Sequence, residues 1–178
     1  MKIAVMGTGG VGGYFGGLLA KAGNDVTFIA RGEHLQAIRD NGLRVVSSND
    51  GDFTVTSKAI EFTTDCEIQD LILFTVKMYH NQSAIETIRP LIGDATVILT
   101  LQNGITNADQ LVSEFGEKKI MIGSAYLEGR IQAPGIISQG GPGTTAFGEL
   151  TPGITERSQT LYALFAKASW RVTLEENM

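Results

Sequence analysis

Gly7-Thr8-Gly9-Gly10-Val11-Gly12 stands between an apolar run, Ile3–Met6, and the stretch Leu18-Leu19-Ala20 with Ala22. The hexapeptide matches G-x-G-x-x-G, a pattern that chance can produce in a glycine-rich chain. It becomes informative directly after a strand and directly before a helix. Each glycine then has a physical task. Gly7 permits the tight strand-to-helix turn, Gly9 lets the backbone approach a pyrophosphate with no Cβ in the way, and Gly12 lets the helix lie close on the sheet. Thr8, Gly10 and Val11 complete the loop, and the orphan N–H groups at the helix start are placed to meet phosphate charge. Gly12, Gly13, Gly16 and Gly17 all fall in the helix, each costing roughly 1 kcal/mol relative to Ala. Close approach to a neighbour must return what propensity loses. The competing reading, a G-x-x-x-G pairing face through Gly9, Gly13 and Gly17, belongs to lipid-embedded helices.

On either side of this loop, apolar runs alternate with helical patterns. Val26–Ala30 is a second run, and His34–Asn41 makes a short helix closed by Gly42. Leu43–Ser47 and Phe53–Thr56 are β-rich and polar enough for edge strands. Leu71–Val76 and Thr96–Leu101 are nearly continuous apolar runs, as in strands covered on both faces. Asn81–Leu91 and Ala108–Phe115 carry apolar residues at helical spacing. The rhythm predicts an α/β, doubly wound Rossmann fold with a mostly parallel sheet and right-handed crossovers. After Ile120 the runs shorten: Ile120–Leu127, Arg130–Gln132, Ile136–Ser138 and Thr144–Phe147 are split by Pro134-Gly135 and by Gly140-Gly141-Pro142-Gly143. These predict an antiparallel meander extending the sheet. Thr155–Ala168 reads as a last helix with Thr155 as N-cap, and Trp170–Leu174 as one more short strand. Neither an internal repeat nor a low-complexity segment is present, and residues 1–178 read as a single domain.

Bulk properties exclude several classes. The 178 residues carry a net charge of −5, with 43% hydrophobic residues, so no basic stripe exists to neutralise nucleic-acid phosphates. A small anionic ligand needs only one local cradle and remains open. No apolar run of 18 or more residues marks a membrane span. Met1-Lys2, an apolar stretch and Ala20-Lys21-Ala22 outline a signal peptide. Against this, Lys2 is the only early cation, and seven glycines lie between Gly7 and Gly17. Cys66, the only cysteine, can form no internal disulfide, and a reducing cytoplasm is the expected location. Its acidic neighbours Asp65 and Glu67 argue against a nucleophilic thiol.

The end of the second strand bears on the cofactor. An Asp or Glu there would bind the ribose 2′-hydroxyl of NAD, but this chain has Arg31 after Phe28-Ile29-Ala30, and a guanidinium suits a 2′-phosphate. Asp25 lies at the wrong end of the strand. NADP is therefore expected ahead of NAD, the alternative being that Arg31 is a solvated loop cation.

Other segments fall into line with one family. Phe74-Thr75-Val76-Lys77 ends a strand with a lysine, Leu101-Gln102-Asn103-Gly104 ends the next with Asn-Gly, and Gly123-Ser124-Ala125-Tyr126 leads to the Pro134-Gly135 hairpin. With the glycine loop and Arg31, these make the chain resemble the N-terminal domain of the ketopantoate reductase (2-dehydropantoate 2-reductase) family over almost its whole length. The resemblance implies that Gly7, Gly9, Gly10 and Gly12 hold the pyrophosphate of NADP and that Arg31 meets its 2′-phosphate. It also implies that Lys77 lies along the cofactor, that Asn103 lies near both nicotinamide and substrate, and that Gly129 lines the nicotinamide site where the family often has Ala. The implied activity is NADPH-dependent reduction of a 2-keto acid, 2-dehydropantoate to pantoate, in pantothenate and CoA biosynthesis. Independently of the family, Lys77 and Asn103 sit at carboxyl ends of strands that should be neighbours, where open α/β sheets bind ligands. Taken alone, Lys77 is equally a solvated lysine and Asn103-Gly104 a turn.

Two departures qualify the match. Gln139 stands where the family usually has a histidine. More important, the family continues into a helical domain that supplies the catalytic lysine and most substrate contacts, whereas this chain stops at Met178. Lys58, Lys118, Lys119 and Lys167 do not match that lysine's motif. The expectation is a cofactor platform without its general acid, although Lys77 or another lysine acting as acid would make the chain complete. Apolar surface left by the helical domain would favour self-association, such as a homodimer. His34 and His80 lack Cys or His partners at ligand spacing, so no metal is expected. His34 reads as a surface residue at a helix start and His80 as lying near the cofactor edge. No G-x-S-x-G supports hydrolysis. Three functions stay open: the reductase itself, a related reductase for another 2-keto acid, and a non-catalytic NADP(H)-sensing module.

Overall fold

Ile3–Met6 and Leu71–Phe74 are apolar at every position, which is stable only where both faces of a sheet are covered. A computed structural model describes residues 1–64, 66–102 and 107–178. In chain order its main elements are β1 (Lys2–Met6), α1 (Gly10–Lys21), β2 (Asp25–Ile29), α2 (Gly32–Asn41), β3 (Leu43–Ser47), β4 (Phe53–Val55) and β5 (Lys58–Ile60). Then come β6 (Leu71–Phe74), α3 (Asn81–Ile88), β7 (Val97–Thr100), α4 (Asn107–Phe115), β8 (Ile120–Ala133), β9 (Ile136–Glu149), α5 (Glu156–Lys167) and β10 (Arg171–Leu174). Strands β5-β2-β1-β6-β7-β8 pair in parallel, the 3-2-1-4-5-6 order of the doubly wound Rossmann fold. Alternate side chains go to opposite faces. Ile3, Val5, Leu71, Leu73 and Leu99 join a core with residues of α1, α2 and α5. Ala4, Met6, Ile72, Phe74 and Ile98 pack on Ala84, Ile85, Ile88 and Leu111 from α3 and α4.

The antiparallel extension differs from the expected meander of short strands. It is one hairpin of two 14-residue strands, β8 and β9. Gly140-Gly141-Pro142-Gly143 does not break β9. It marks the point where the strand's outer neighbour changes from β3, opposite Ile136–Gln139, to β10, opposite Thr144–Phe147. A proline lacking its N–H removes no ladder bond there, and the carbonyls of Gly141 and Pro142 accept from Asn49 Nδ2 at 2.8 and 3.2 Å. Leu43–Ser47, expected at an edge, is internal, because β3 lies between β4 and β9.

The long hairpin carries the sheet around α1, which packs against β1 and β2 and also against β3, β4, β8 and β9. Eight of its residues are buried, and its glycines explain how it fits. A Cβ on Gly13 would lie 2.6 Å from Ile137 Cγ1, and one on Gly16 2.6 Å from Val5 Cγ2. Beyond β9, Thr155 caps α5 as expected: its hydroxyl accepts the Ser158 N–H, and the Ser158 hydroxyl accepts the Thr155 N–H. The chain then returns to α1. Trp170 stacks on Phe15 with ring centroids 4.2 Å apart and donates Nε1–H to Thr145 Oγ1 at 2.7 Å. Arg171 donates to Asp50 Oδ1 at 2.9 Å and to the Tyr14 hydroxyl at 2.7 Å.

Candidate functional site

In the sheet order the direction of winding reverses between β1 and β6, because the chain leaves β1 into α1 on one face and runs from β6 to α3 on the other. A crevice opens outside the carboxyl ends at such a point. A cavity of about 570 Å³ lies there, within the range of small-molecule sites. It brings together Gly7, Thr8, Gly9, Gly10 and Val11 from the glycine loop, Arg31 and His34 after β2, Lys77 and His80 after β6, and Gly129 to Ile131 of β8.

The loop geometry follows from its residues. Gly7 has φ +98°, which favours glycine, and a Cβ on Gly12 would lie 2.3 Å from Thr75 Oγ1. Around Gly9, its own atoms and chain neighbours aside, no heavy atom of the described residues lies within 4 Å of where a Cβ would stand, so this residue fronts the cavity with bare backbone. No side chain caps α1 and no acid sits in its first turn, so its terminal N–H groups and the helix dipole favour an anion. Thr8 turns its side chain inward: the hydroxyl donates to the Ile29 carbonyl at 3.0 Å, tying the loop to the end of β2.

Arg31, Lys77 and Arg130 line the cavity, no carboxylate does, and none of the three takes part in an ion pair among the described residues. A locally cationic cleft in a chain of net charge −5 suits an anionic ligand. Arg130 and His34 escaped the sequence reading. Arg130 sits on a hairpin whose path local pattern did not show. His34, read as a surface residue, is half-buried and bonded through both ring nitrogens. Burial lowers its pKa below the ordinary 6.5, opposed by its bond to Thr8. His80, expected near the cofactor edge, is among the residues that line the cavity.

Gly129 crosses the start of α1 so closely that a Cβ on Gly10 would lie 2.1 Å from its carbonyl carbon. Asn103 lies outside the described residues. Its neighbour Gln102 donates Nε2–H to the Val76 carbonyl at 2.6 Å and to Asn81 Oδ1 at 2.7 Å, joining the ends of β6 and β7. Gln139 is buried and accepts the Ser47 hydroxyl at 2.6 Å. Cys66 faces Lys58, whose Nζ donates to Sγ at 3.7 Å, so its surroundings are not purely acidic as expected. Among the described residues, no cluster of His, Cys, Asp and Glu is arranged to hold a metal and no helix is long and apolar enough to cross a membrane.

Fold, switch-point cavity and glycine loop together define a Rossmann-type domain with a cationic cleft of small-molecule size. The family model described as ketopantoate reductase PanE/ApbA matches residues 3–152, and the chain belongs to that family. A 2-dehydropantoate 2-reductase of Pyrococcus abyssi is 35% identical over 181 residues, covering 100% of this chain and 57% of its own length. The crystal structure of 2-dehydropantoate 2-reductase from Geobacter metallireducens superposes with TM-score 0.92 at 37% identity, over 99% of this chain and 58% of that one. A D-mandelate dehydrogenase in ternary complex with NADH and anilino(oxo)acetate superposes with TM-score 0.89 at 25% identity, over 99% and 57%. The chain thus spans a little over half the length of these relatives.

Proposed function

We propose that the cavity binds NADP(H) and that residues 1–178 form one domain, the cofactor-binding half of an NADPH-dependent 2-keto acid reductase. Its relatives' names point to 2-dehydropantoate as substrate, reduced to pantoate in a cytoplasmic pathway. One observation carries the cofactor reading: among the described residues, Arg31, Lys77 and Arg130 line the cavity without ion-pair partners and no carboxylate lines it. A 2′-phosphate suits the guanidinium after β2, where an acid would have favoured the 2′-hydroxyl of NAD.

The residues fit the group. The backbone of Gly7, Gly9 and Gly10, with Thr8 and Val11, would hold the pyrophosphate at the start of α1. Gly12, also assigned to the pyrophosphate by the resemblance, does not line the cavity and instead lets α1 lie against Thr75. Arg31 would hold the 2′-phosphate, and Lys77 and Gly129, which line the same cavity, would flank the cofactor and its nicotinamide. Asn103, outside the described residues, is assigned to nicotinamide and substrate by the family resemblance alone. When bound, the nicotinamide supplies the hydride. A lysine outside residues 1–178 supplies the proton to the carbonyl oxygen.

The similarity to D-mandelate dehydrogenase favours a second reading, a related reductase for a different 2-keto acid. A non-catalytic NADP(H) sensor would bind the same cofactor without turnover. Calorimetry tests the cofactor assignment. NADPH binds at least tenfold more tightly than NADH, and Arg31→Ala removes most of that difference, the loss of one charge-assisted pair worth about 1.5–3 kcal/mol. Equal affinities for the unsubstituted chain overturn it.

A further inference from the structure

His34 sits in the first turn of α2 with the glycine loop on one side of its ring and the β8–β9 turn on the other. Its Nε2 lies 2.8 Å from the carbonyl of Thr8, in the glycine loop. Its Nδ1 accepts the backbone N–H of Gly135 at 3.0 Å, in the turn joining β8 to β9. Because a backbone N–H can only donate, Nδ1 must carry a lone pair, and the ring proton of the neutral imidazole is on Nε2, donating to Thr8. Residues 26 and 101 positions away in sequence are thereby fixed to one imidazole. The anchors at both ends are firm. Thr8 is tied by its hydroxyl to Ile29, and the Gly135 carbonyl accepts the Arg44 N–H at 2.9 Å.

We infer that His34 is a positioning residue: as a neutral Nε2–H tautomer it clamps the glycine loop to the β8–β9 turn and so holds Thr8-Gly9 and Gly129-Arg130 in the relative placement that receives the dinucleotide. The inference rests on the proposed cofactor reading and deepens it. A second ring proton would set an N–H on Nδ1 against the Gly135 N–H, so protonation breaks the clamp. The glycine loop and the Ala133-Pro134-Gly135 turn present no titratable side chain to the ring. The charged and titratable groups lining the same cavity are Arg31, Lys77, His80 and Arg130, and Glu33 is its neighbour on α2.

Three variants separate the two bonds. Asn carries an acceptor near the place of Nδ1, Gln a donor near that of Nε2, and Leu neither. At pH 8, His34→Asn and His34→Gln each weaken NADPH binding severalfold and His34→Leu by roughly tenfold or more, as expected for one and two lost hydrogen bonds. Between pH 8 and 5.5 the unsubstituted protein loses more NADH affinity than His34→Gln does. NADH is the probe for this comparison because the 2′-phosphate of NADPH itself titrates near 6, and His80 is common to both proteins. Nitrogen chemical shifts of the ligand-free protein report Nε2–H for His34, and the Gly135 amide exchanges slowly. Unchanged NADPH affinity and pH profile in His34→Leu, or an Nδ1–H tautomer, overturns the clamp. If the unsubstituted protein binds no dinucleotide, the functional reading and His34's role in it both fall, while the tautomer still decides whether the clamp exists.

Discussion

Gly9 and Gly10 are adjacent, yet a side chain would meet opposite surroundings at the two. At Gly9 a Cβ has open space, whereas at Gly10 it lies 2.1 Å from the Gly129 carbonyl carbon and 2.6 Å from the Arg130 nitrogen. Gly9 also has φ −91° and ψ −158°, extended backbone that any residue adopts. Gly9→Val should therefore fold with a melting temperature close to the parent's and bind no NADPH, because its side chain fills the space left for the pyrophosphate. Gly10→Ala should lose about 1–3 kcal/mol of stability, the usual cost of forcing an extra methyl into a packed contact. Thermal melts beside NADPH titrations distinguish the two, and a folded Gly9→Val protein with parental NADPH affinity would sink the reading of the loop. The same crossing explains Gly129: its own Cβ would lie 2.9 Å from the Gly10 carbonyl carbon.

At the scale of elements, α1 gives up helix propensity at several glycines and gains contact on all sides, since the sheet that begins at β1 curls round to β9. Its far side is locked to β10 through Tyr14, Asp50 and Arg171. Burial, then the bond to Asp50, pushes the Tyr14 phenol above its ordinary value. The Arg171 guanidinium holds the Asp50 carboxyl below its ordinary 3.8, helped by Tyr14 and opposed by burial. A carboxyl with a lowered folded pKa contributes stability that is present above 3.8 and lost as pH falls through the lower folded value. Asp50→Asn should therefore be less stable than the parent at pH 7, and the gap should close in acid below pH 3.8. A gap that stays constant into acid would show that the ion pair carries no such linkage. In α5, Thr155→Ala should cost about 1 kcal/mol through loss of the reciprocal Thr155–Ser158 cap, read from denaturant midpoints.

For the molecule as a whole, charge and apolar surface both point to the mouth of the cavity. A chain of net charge −5 gathers Arg31, Lys77 and Arg130 there. Beside Lys77, Met78 and Tyr79 are 54% and 81% exposed, and Ile131 at the rim is 47% exposed. On the proposed reading the 178 residues bind NADPH and do not oxidise it with ketopantoate. A general acid contributes roughly 10²–10⁴-fold to carbonyl reduction, and the lysine is expected outside this span. Absorbance at 340 nm, followed for residues 1–178 beside a version extended by a helical domain like that of the family, tests this. Comparable turnover in both would assign the acid to a lysine within residues 1–178. Sedimentation should show the 178-residue chain associating through the exposed apolar rim.

The features legible in the sequence are those encoded by neighbours in the chain. Glycines at fixed offsets after an apolar run located the turn, continuous apolar runs located strands covered on both faces, and Arg31 and Lys77 followed as residues at strand ends. Asn103, read at the same kind of strand end, falls outside the described residues. Tertiary structure decided what depends on partners far along the chain. Whether Gly140-Gly141-Pro142-Gly143 ends a strand depends on which strands lie beside it, and the exchange of β3 for β10 lets β9 run through. Whether His34 is a surface residue depends on Thr8 and Gly135, 26 and 101 positions away. Local pattern carries the period of an element and the places where it turns. It does not carry which edge or turn meets which, because that is set by side chains packing across the core between segments whose separation in sequence leaves no periodic trace.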